Sequence, residues 1–247
     1  MKLKIVAKNS QLVEPIISRI KDASKRLGIT LVDEGEEVVM AVGGDGTLLK
    51  AIKLDKPVIA VKAGRRGFFM DVEPSEVEEA LAKLLSGEYF REEYDLLRLR
   101  YHGRSLDAFN EVGVLYDEPE SILLSLDFMG NHFVMEGDGV LISTPQGSSG
   151  WSMSVTGVYV LSKGVMEVSF VGPILSPLKA LVIPGTNIKL RLEDKGHRQK
   201  ARLVSDGDIV DYIFTGEEVT IEPSPKKAII LRFKKVDPLR GIIPWKG

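Results

Sequence analysis

The amino-acid sequence predicts two regions of different class: an α/β domain with a doubly wound, mostly parallel sheet over residues 1–94, and a β-rich sandwich over residues 95–228. Before residue 94, short β-type apolar runs alternate with stretches of helical period, the pattern of βαβ units. After it, strand-like runs follow one another, separated by turn dipeptides such as Gly-Asn, Asp-Gly and Thr-Gly. The charged stretch REEYD, Arg91–Asp95, falls at this change of texture.

Taken in order, LKIVA (Leu3–Ala7) reads as a strand, and Val13, Ile16, Ile17 and Ile20 then fall at helical spacing up to a stop at Gly28. VVMAV (Val38–Val42) is a buried strand, GGDGT (43–47) a glycine turn, and LLKAIK a helix from about Leu48. PVIAVKAG supplies the next strand, and Val77, Leu81 and Leu84 share one face of a helix from Pro74 to about Leu85. In the second region LLRLRYHG, FNEVGVL, SILLSLDFMGNHFVMEGDGVLIS, NIKLRLED, KARLVSDGDIVDYIF and EEVTIEP read as strands, several with strict alternation, enough for two packed sheets. IILRFKK, after an expected turn at PSPKK, adds one more strand, and residues 229–247 are expected to return to the first domain. GIIPWKG with Trp245 ends the chain as either a subunit contact or a cover for that domain.

Composition bounds the function. With 44% hydrophobic and 28% charged residues the chain can bury a core. Lys+Arg 33 against Asp+Glu 35 gives a net charge of −2, without the global basic field that drives nucleic-acid binding. No cysteine means no disulfide framework, no Cys-based zinc site and no thiol nucleophile. MKLKIVAKNS lacks the apolar core of a signal peptide and no run of 18 apolar residues occurs, so the expected location is cytoplasmic, with no membrane partner. His102, His132 and His197 are scattered without metal spacing and read as non-catalytic.

The chemistry gathers at GGDGT. Glycines after a buried strand let the backbone approach a ligand, and a following helix N-terminus favours an anion, so Gly43, Gly44, Gly46 and Thr47 form a candidate phosphate-donor loop. The turn lacks the lysine of a P-loop and carries Asp45 instead. A carboxylate beside phosphates repels them unless a cation intervenes or it has a proton to accept. Both point to phosphoryl transfer from a nucleoside triphosphate with Mg²⁺, with Asp45 as the base; the plainer alternative is an Asp capping a helix. In AFNEVGVL, Asn110 and Glu111 follow an apolar run, where they suit either a base edge and ribose hydroxyls or a β-bulge. In EGDGVLISTPQGSSGWSMS, Asp138 begins a strand that leads to a loop rich in Ser, Thr and Gly, with Trp151 offering a flat face to a base.

The set GGDGT, GRRGFF (Gly64–Phe69), Asn110-Glu111 and DGVLISTPQGSSGWSMS resembles the NAD kinases in order and spacing over most of the chain. GGDGT alone is shared with lipid kinases and phosphofructokinases; its combination with Asn110-Glu111 and the DGVLISTPQGSS run is far more specific. The resemblance implies an α/β domain, a β-sandwich domain, a site in the crevice between them, and phosphorylation of the 2′-hydroxyl of the adenosine ribose of NAD. It implies Asp45 as proton acceptor, Gly46 against the dinucleotide, Lys50 as a basic position on the next helix and Phe68 lining the adenine pocket. It also implies Asn110 near the adenine, Glu111 near the reacting ribose, Asp138 facing the nicotinamide half, and Ser149, Gly150, Trp151, Ser152, Met153 and Ser154 wrapping the dinucleotide.

There are departures from the family pattern. Many members read Thr-Ala-Tyr where this chain has Ser149-Gly150-Trp151, and some carry a basic residue where it has Glu136, a swap that bears on how the phosphates are balanced. The implied partners are NAD and ATP, or another phosphoryl donor, with Mg²⁺ arriving on the nucleotide rather than in a protein cage, and a homo-oligomer. A lipid kinase, a sugar-phosphate kinase using Lys62, Arg65 and Arg66, and a non-catalytic NAD or NADP sensor stay open from the residues alone.

Overall fold

The computed structural model describes residues 1–64, 67–237 and 239; Arg65, Arg66 and the terminal GIIPWKG with Trp245 lie outside the described residues. The first elements are β1 (Lys2–Ala7), α1 (Glu14–Leu27), β2 (Thr30–Leu31), β3 (Val38–Gly43), α2 (Asp45–Ile52), β4 (Val58–Lys62), α3 (Val77–Ser86) and β5 (Phe90–Tyr101). There follow β6 (Arg104–Ala108), β7 (Glu111–Tyr116), β8 (Ile122–Phe128), β9 (Asn131–Gly137), β10 (Gly139–Ser143) and α4 (Trp151–Thr156). The last are β11 (Val165–Val171), β12 (Ala180–Pro184), β13 (Ile188–Leu192), β14 (Lys200–Ser205), β15 (Asp208–Phe214) and β16 (Glu218–Arg232). The chain forms two compact units: Met1–Tyr94 with the described residues from Ala228 onward, and Asp95–Lys227, so that the divisions fall inside β5 and β16.

In the first unit β2, β1, β3, β4 and the end of β16 lie side by side, every pair parallel. Pro15 sits in the first turn of α1, where its missing N–H costs nothing, and Gly28 at φ +70° ends the helix with its N–H on the Ser24 carbonyl. Ile16, Ile20 and Ala23 of α1 join Val77, Leu81 and Leu84 of α3 and the strand residues Met40, Val42, Ile59 and Val61 in one core. Val39, Ala41, Val58 and Ala60 alternate with these and are equally buried, so they lie on the opposite face, while α2 packs on β1, β3 and β4. Helices therefore cover both faces, which is the doubly wound arrangement. From β1 the chain leaves through α1 to β2 on one side, then returns to β3 on the other. The carboxyl ends of β1 and β3 thus mark the reversal in strand order at which such sheets bind ligands. GGDGT leaves from that end of β3.

The second unit is a sandwich. One sheet runs β12-β11-β10-β7-β14-β15, antiparallel throughout. The other runs β9-β8-β13-β16, also antiparallel, with the β5–β6 hairpin attached through β5. Leu124, Leu126, Leu190 and Ile221 of the second sheet meet Val112, Val114, Val140, Ile142 and Val168 of the first in one core.

Two local expectations are corrected. The helix after the glycine turn begins at Asp45 rather than near Leu48, because the Gly44 carbonyl already accepts the Thr47 and Leu48 amides at 2.8 and 3.1 Å. PSPKK is no turn: β16 runs through it unbroken. Proline's fixed φ suits extended backbone, and both prolines lie past Ile221, where the register with β13 ends, so no bond of that ladder is lost.

Gly139 opens β10 at φ +141°, and a Cβ there would collide with the Val114 carbonyl oxygen and sit 2.8 Å from Leu115 Cα. Gly139→Ala is expected to destabilise the protein by roughly 3 kcal/mol or more. A thermal unfolding scan checks this, and a midpoint equal to wild type would contradict the packing described.

Candidate functional site

In the first unit Gly43 and Lys62 are register partners at the carboxyl ends of β3 and β4, so the segments after both strands leave the sheet together. Gly43 has no room for a side chain: a Cβ would collide with the Thr47 hydroxyl and come within 3.3 Å of Lys8 Cβ, beyond β1. Gly44 is the N-cap of α2 and Asp45 its first residue. Asp45 does not cap its own helix. Its Oδ2 accepts the Phe68 amide at 2.9 Å and its Oδ1 the Phe69 amide at 3.0 Å. The turn carrying those amides needs Gly67, where a Cβ would lie 2.6 Å from Met70 Cγ. Asp45 and Phe68 are half-buried, Gly46 and Lys50 are exposed, and Thr47 is buried.

In the second unit Asn110 lies between β6 and β7, and Glu111 is the first residue of β7. Asp206, at φ +50° in the turn between β14 and β15, accepts the Phe109 and Asn110 amides on its two carboxylate oxygens at 3.0 and 2.7 Å. Behind this segment the stretch from Thr144 to Gly147 is tied to it. The Thr144 hydroxyl donates to the Phe109 carbonyl at 2.7 Å, Gln146 Nε2 donates to the same carbonyl at 2.8 Å, and the Thr144 amide donates to the Asn110 carbonyl at 2.9 Å. Gly147 packs so closely that a Cβ would overlap the Asn110 carbonyl. Asn110-Glu111 and the Ser-Thr-Pro-Gln-Gly run are therefore one built unit.

The run from Ser149 to Ser154, expected as a loop, is a short 3-10 turn, Gly147–Ser149, followed by α4. Side-chain oxygens bond back into the chain there: Ser149 Oγ donates to the Gln146 carbonyl at 2.8 Å and Ser154 Oγ to the Trp151 carbonyl at 2.7 Å. Ser152 is buried against the Ser169 hydroxyl, Met153 is half-buried, and Gly150 and Trp151 are exposed at the start of α4.

Not every candidate joins this group. Ser143 of β10 pairs with Glu111 and Gly139 with Leu115, so Asp138 sits at the opposite end of β10, roughly 17 Å along the strand at ~3.4 Å per residue. Asp138 is not inside a strand but at the corner between β9 and β10, exposed, its carboxylate lying over Gly172. Glu136 shares that end, held by Lys195 and by the Ser121 hydroxyl at 2.7 Å, and these contacts keep its carboxyl below the usual range. The histidines lie beside surface carboxylates, His102 with Glu217 and Asp211, His132 with Asp127, His197 with Glu120. Among the described residues no group of three or more His, Asp or Glu is placed to hold a metal ion.

Sequence reading missed Asp206, Thr144 and Gln146 as parts of this site. The last two stand inside the quoted motif; Asp206 lies in a turn 96 residues from Asn110, and no local pattern marks it.

Glu111 is 3% exposed, and its Oε2 has no hydrogen-bond partner among the described residues. Burial first, then the like charge of Asp206, push its carboxyl up to about 7, against a backbone hydrogen bond from Gly207 that favours the ionised form. The folded chain therefore holds a proton here that an unfolded chain, with a value of about 4.3, has released. Stability from this source is complete below about pH 4.3 and is lost as pH rises through 7. Urea unfolding should show wild type losing on the order of 2–3 kcal/mol between pH 5 and 8 relative to Glu111→Gln. Parallel pH profiles would contradict this.

Comparison with known proteins agrees over both units. The profile of the ATP-NAD kinase N-terminal domain matches residues 6–89, and that of the ATP-NAD kinase C-terminal domain residues 114–233. The chain is 50% identical over 238 residues to an NAD kinase of Saccharolobus islandicus, covering 96% of each chain. It is 42% identical over 238 residues to an NAD kinase of Sulfurisphaera tokodaii, covering 94% of this chain and 96% of that one. Its fold resembles a crystal structure of an NAD kinase from Archaeoglobus fulgidus in complex with ATP, with TM-score 0.78 at 24% identity over 95% of this chain and 94% of that one. Yeast NADH kinase complexed with NADH superposes with TM-score 0.84 at 16% identity over 98% and 86%. With both domain profiles matched and half of its residues shared along nearly the whole length of such relatives, the chain belongs to the NAD kinase family.

Proposed function

We infer that the protein transfers the γ-phosphoryl group of ATP to the 2′-hydroxyl of the adenosine ribose of NAD, giving NADP. Identity along almost the whole length of NAD kinases supports the reaction, and the observation that carries its chemistry is the Asp45 carboxylate presented at the strand-order reversal. Each Asp45 oxygen accepts one amide, which fixes the plane of the carboxylate and leaves further lone pairs for the ribose proton. Gly43, Gly44, Gly46 and Thr47 are the donor loop, where the first turn of α2 and the absence of side chains let backbone amides approach phosphate. Lys50 and Phe68 are the basic and aromatic contacts of the same unit.

In the second unit Asn110 reads the adenine and Glu111 the ribose, held by Asp206 and Thr144. Trp151, with Ser149, Gly150 and Ser152–Ser154, covers the dinucleotide. Asp138 and Glu136, at the far end of β10, are left to its nicotinamide half. The divalent ion is part of the substrate, carried by the triphosphate and water, and it neutralises charge on the transferred group. A cytoplasmic setting and a homo-oligomer belong to the same reading. Among the described residues no helix is long and apolar enough to cross a membrane.

Positioning the hydroxyl against the γ-phosphate supplies most of the rate, and general-base help contributes typically ~10²–10⁴-fold. Asp45→Asn should lower turnover by about that factor with NAD affinity within a few-fold, measured by an end-point assay of NADP with ATP, Mg²⁺ and NAD. Unchanged turnover would remove the base role. Asn110→Ala should weaken NAD binding by ~1–3 kcal/mol in calorimetry; wild-type affinity would place Asn110 outside the pocket.

A further inference from the structure

Arg232, at the end of β16, is only 4% exposed, and no sequence motif singles it out. Its Nε donates to Glu92 Oε2 at 2.7 Å, and its Nη2 donates to the Tyr94 hydroxyl at 2.9 Å. Its Nη1 donates both to Asp71 Oδ1 and to the Phe69 carbonyl, each at 2.7 Å. A buried guanidinium needs acceptors on all sides, and two carboxylates with a phenol would go far towards that need. The bond to a backbone carbonyl asks for a separate explanation.

Phe69 is the residue whose amide donates to Asp45 Oδ1. Its backbone is therefore gripped at both ends, the N–H by Asp45 and the C=O by Arg232. The residue is 6% exposed, and its ring packs edge-on against Phe68, at 4.9 Å between centroids, and against Tyr94 at 5.7 Å. Tyr94 is in turn the residue on which Nη2 rests. Ring and carbonyl together leave the Phe69 amide one direction in which to point, and that direction is the Asp45 carboxylate. Lysine could not replace this arrangement: a single ammonium would settle on Asp71 or Glu92, whereas the planar fork reaches acids, phenol and carbonyl at once.

We propose that Arg232 is a positioning residue for Asp45, fixing through the Phe69 carbonyl the amides that set the orientation of the carboxylate. This rests on the reading of Asp45 as the proton acceptor. A cation that merely holds β16 in place would affect stability without regard to Asp45, and the two roles separate in a double-mutant cycle. Arg232→Lys should lower kcat roughly 10- to 100-fold, the scale of a small misplacement at a reacting centre, with KM for NAD within about 3-fold. In the Asp45→Asn background it should lower the residual turnover by less than about 2-fold. Hydrogen exchange of the Phe68 and Phe69 amides should quicken in Arg232→Lys, as their bonds to Asp45 loosen.

Equal losses of turnover with and without Asp45, or a wild-type kcat in Arg232→Lys, would overturn the proposal. Should that variant fail to fold, Tyr94→Phe removes the hydroxyl that accepts from Nη2, together with its bond to Glu92, and is expected to lower kcat a few-fold at unchanged KM; an unchanged kcat there would overturn it equally. Full turnover in Asp45→Asn would instead overturn the base assignment itself. Loss of turnover in Asp45→Asn with none in Arg232→Lys would overturn only the role given to Arg232.

Discussion

A carboxylate that is to accept a proton beside phosphate, the role proposed for Asp45, must be held in one orientation without being neutralised, and the first unit meets that constraint with backbone amides. An ion pair to lysine or arginine would have held Asp45 as firmly, but would have brought a full positive charge to compete for the carboxylate. Amides donate without carrying net charge. The requirement spreads outward: amides at that point need a turn after β4, the turn needs Gly67, and β3 and β4 must end in register so that the two segments meet. A parallel sheet with its carboxyl ends level supplies that starting position.

The second unit solves a different problem, that of keeping polar side chains ready inside a sandwich. Asn110 and Glu111 stand at the start of a central strand, where an unsupported peptide would lose its hydrogen bonds to burial. Asp206 accepts two of the amides, and Thr144 with Gln146 satisfies the carbonyls from the other side. The Ser, Thr and Gly of the STPQGSS stretch are thus mostly internal scaffolding. The Thr144, Ser148 and Ser149 hydroxyls donate to backbone carbonyls, and Gly147 permits close approach.

Periodicity made the fold class legible, since helices with apolar stripes and fully apolar strands can hardly be misread as a sandwich. Gly28 marked the end of α1 through its left-handed conformation, and VVMAV marked a strand buried on both faces. Three features escaped. Helical bonding from the Gly44 carbonyl depends on backbone geometry that glycine permits but does not announce. Trp151–Thr156 is too short for a period to register. PSPKK carries turn residues whose cost disappears where the strand leaves the β13 ladder. GGDGT and Asn110-Glu111 were legible as motifs because their residue types are unusual in their places. Asp206 and Arg232 were not, since each acts on residues about a hundred or more positions away and looks ordinary among its neighbours in sequence.

Because β16 closes the parallel sheet of the first unit, that unit is assembled from two stretches of chain with the whole sandwich between them. On a ribosome, residues 95–227 emerge and can fold while the α/β unit still waits for its last strand. The contact between Arg232 and Asp71 spans 161 residues, so it closes among the last in synthesis. A nascent or truncated chain would therefore carry the glycine turn without the Arg232 hold on the Phe69 carbonyl, and the first unit would be completed late in biogenesis, after the sandwich has emerged.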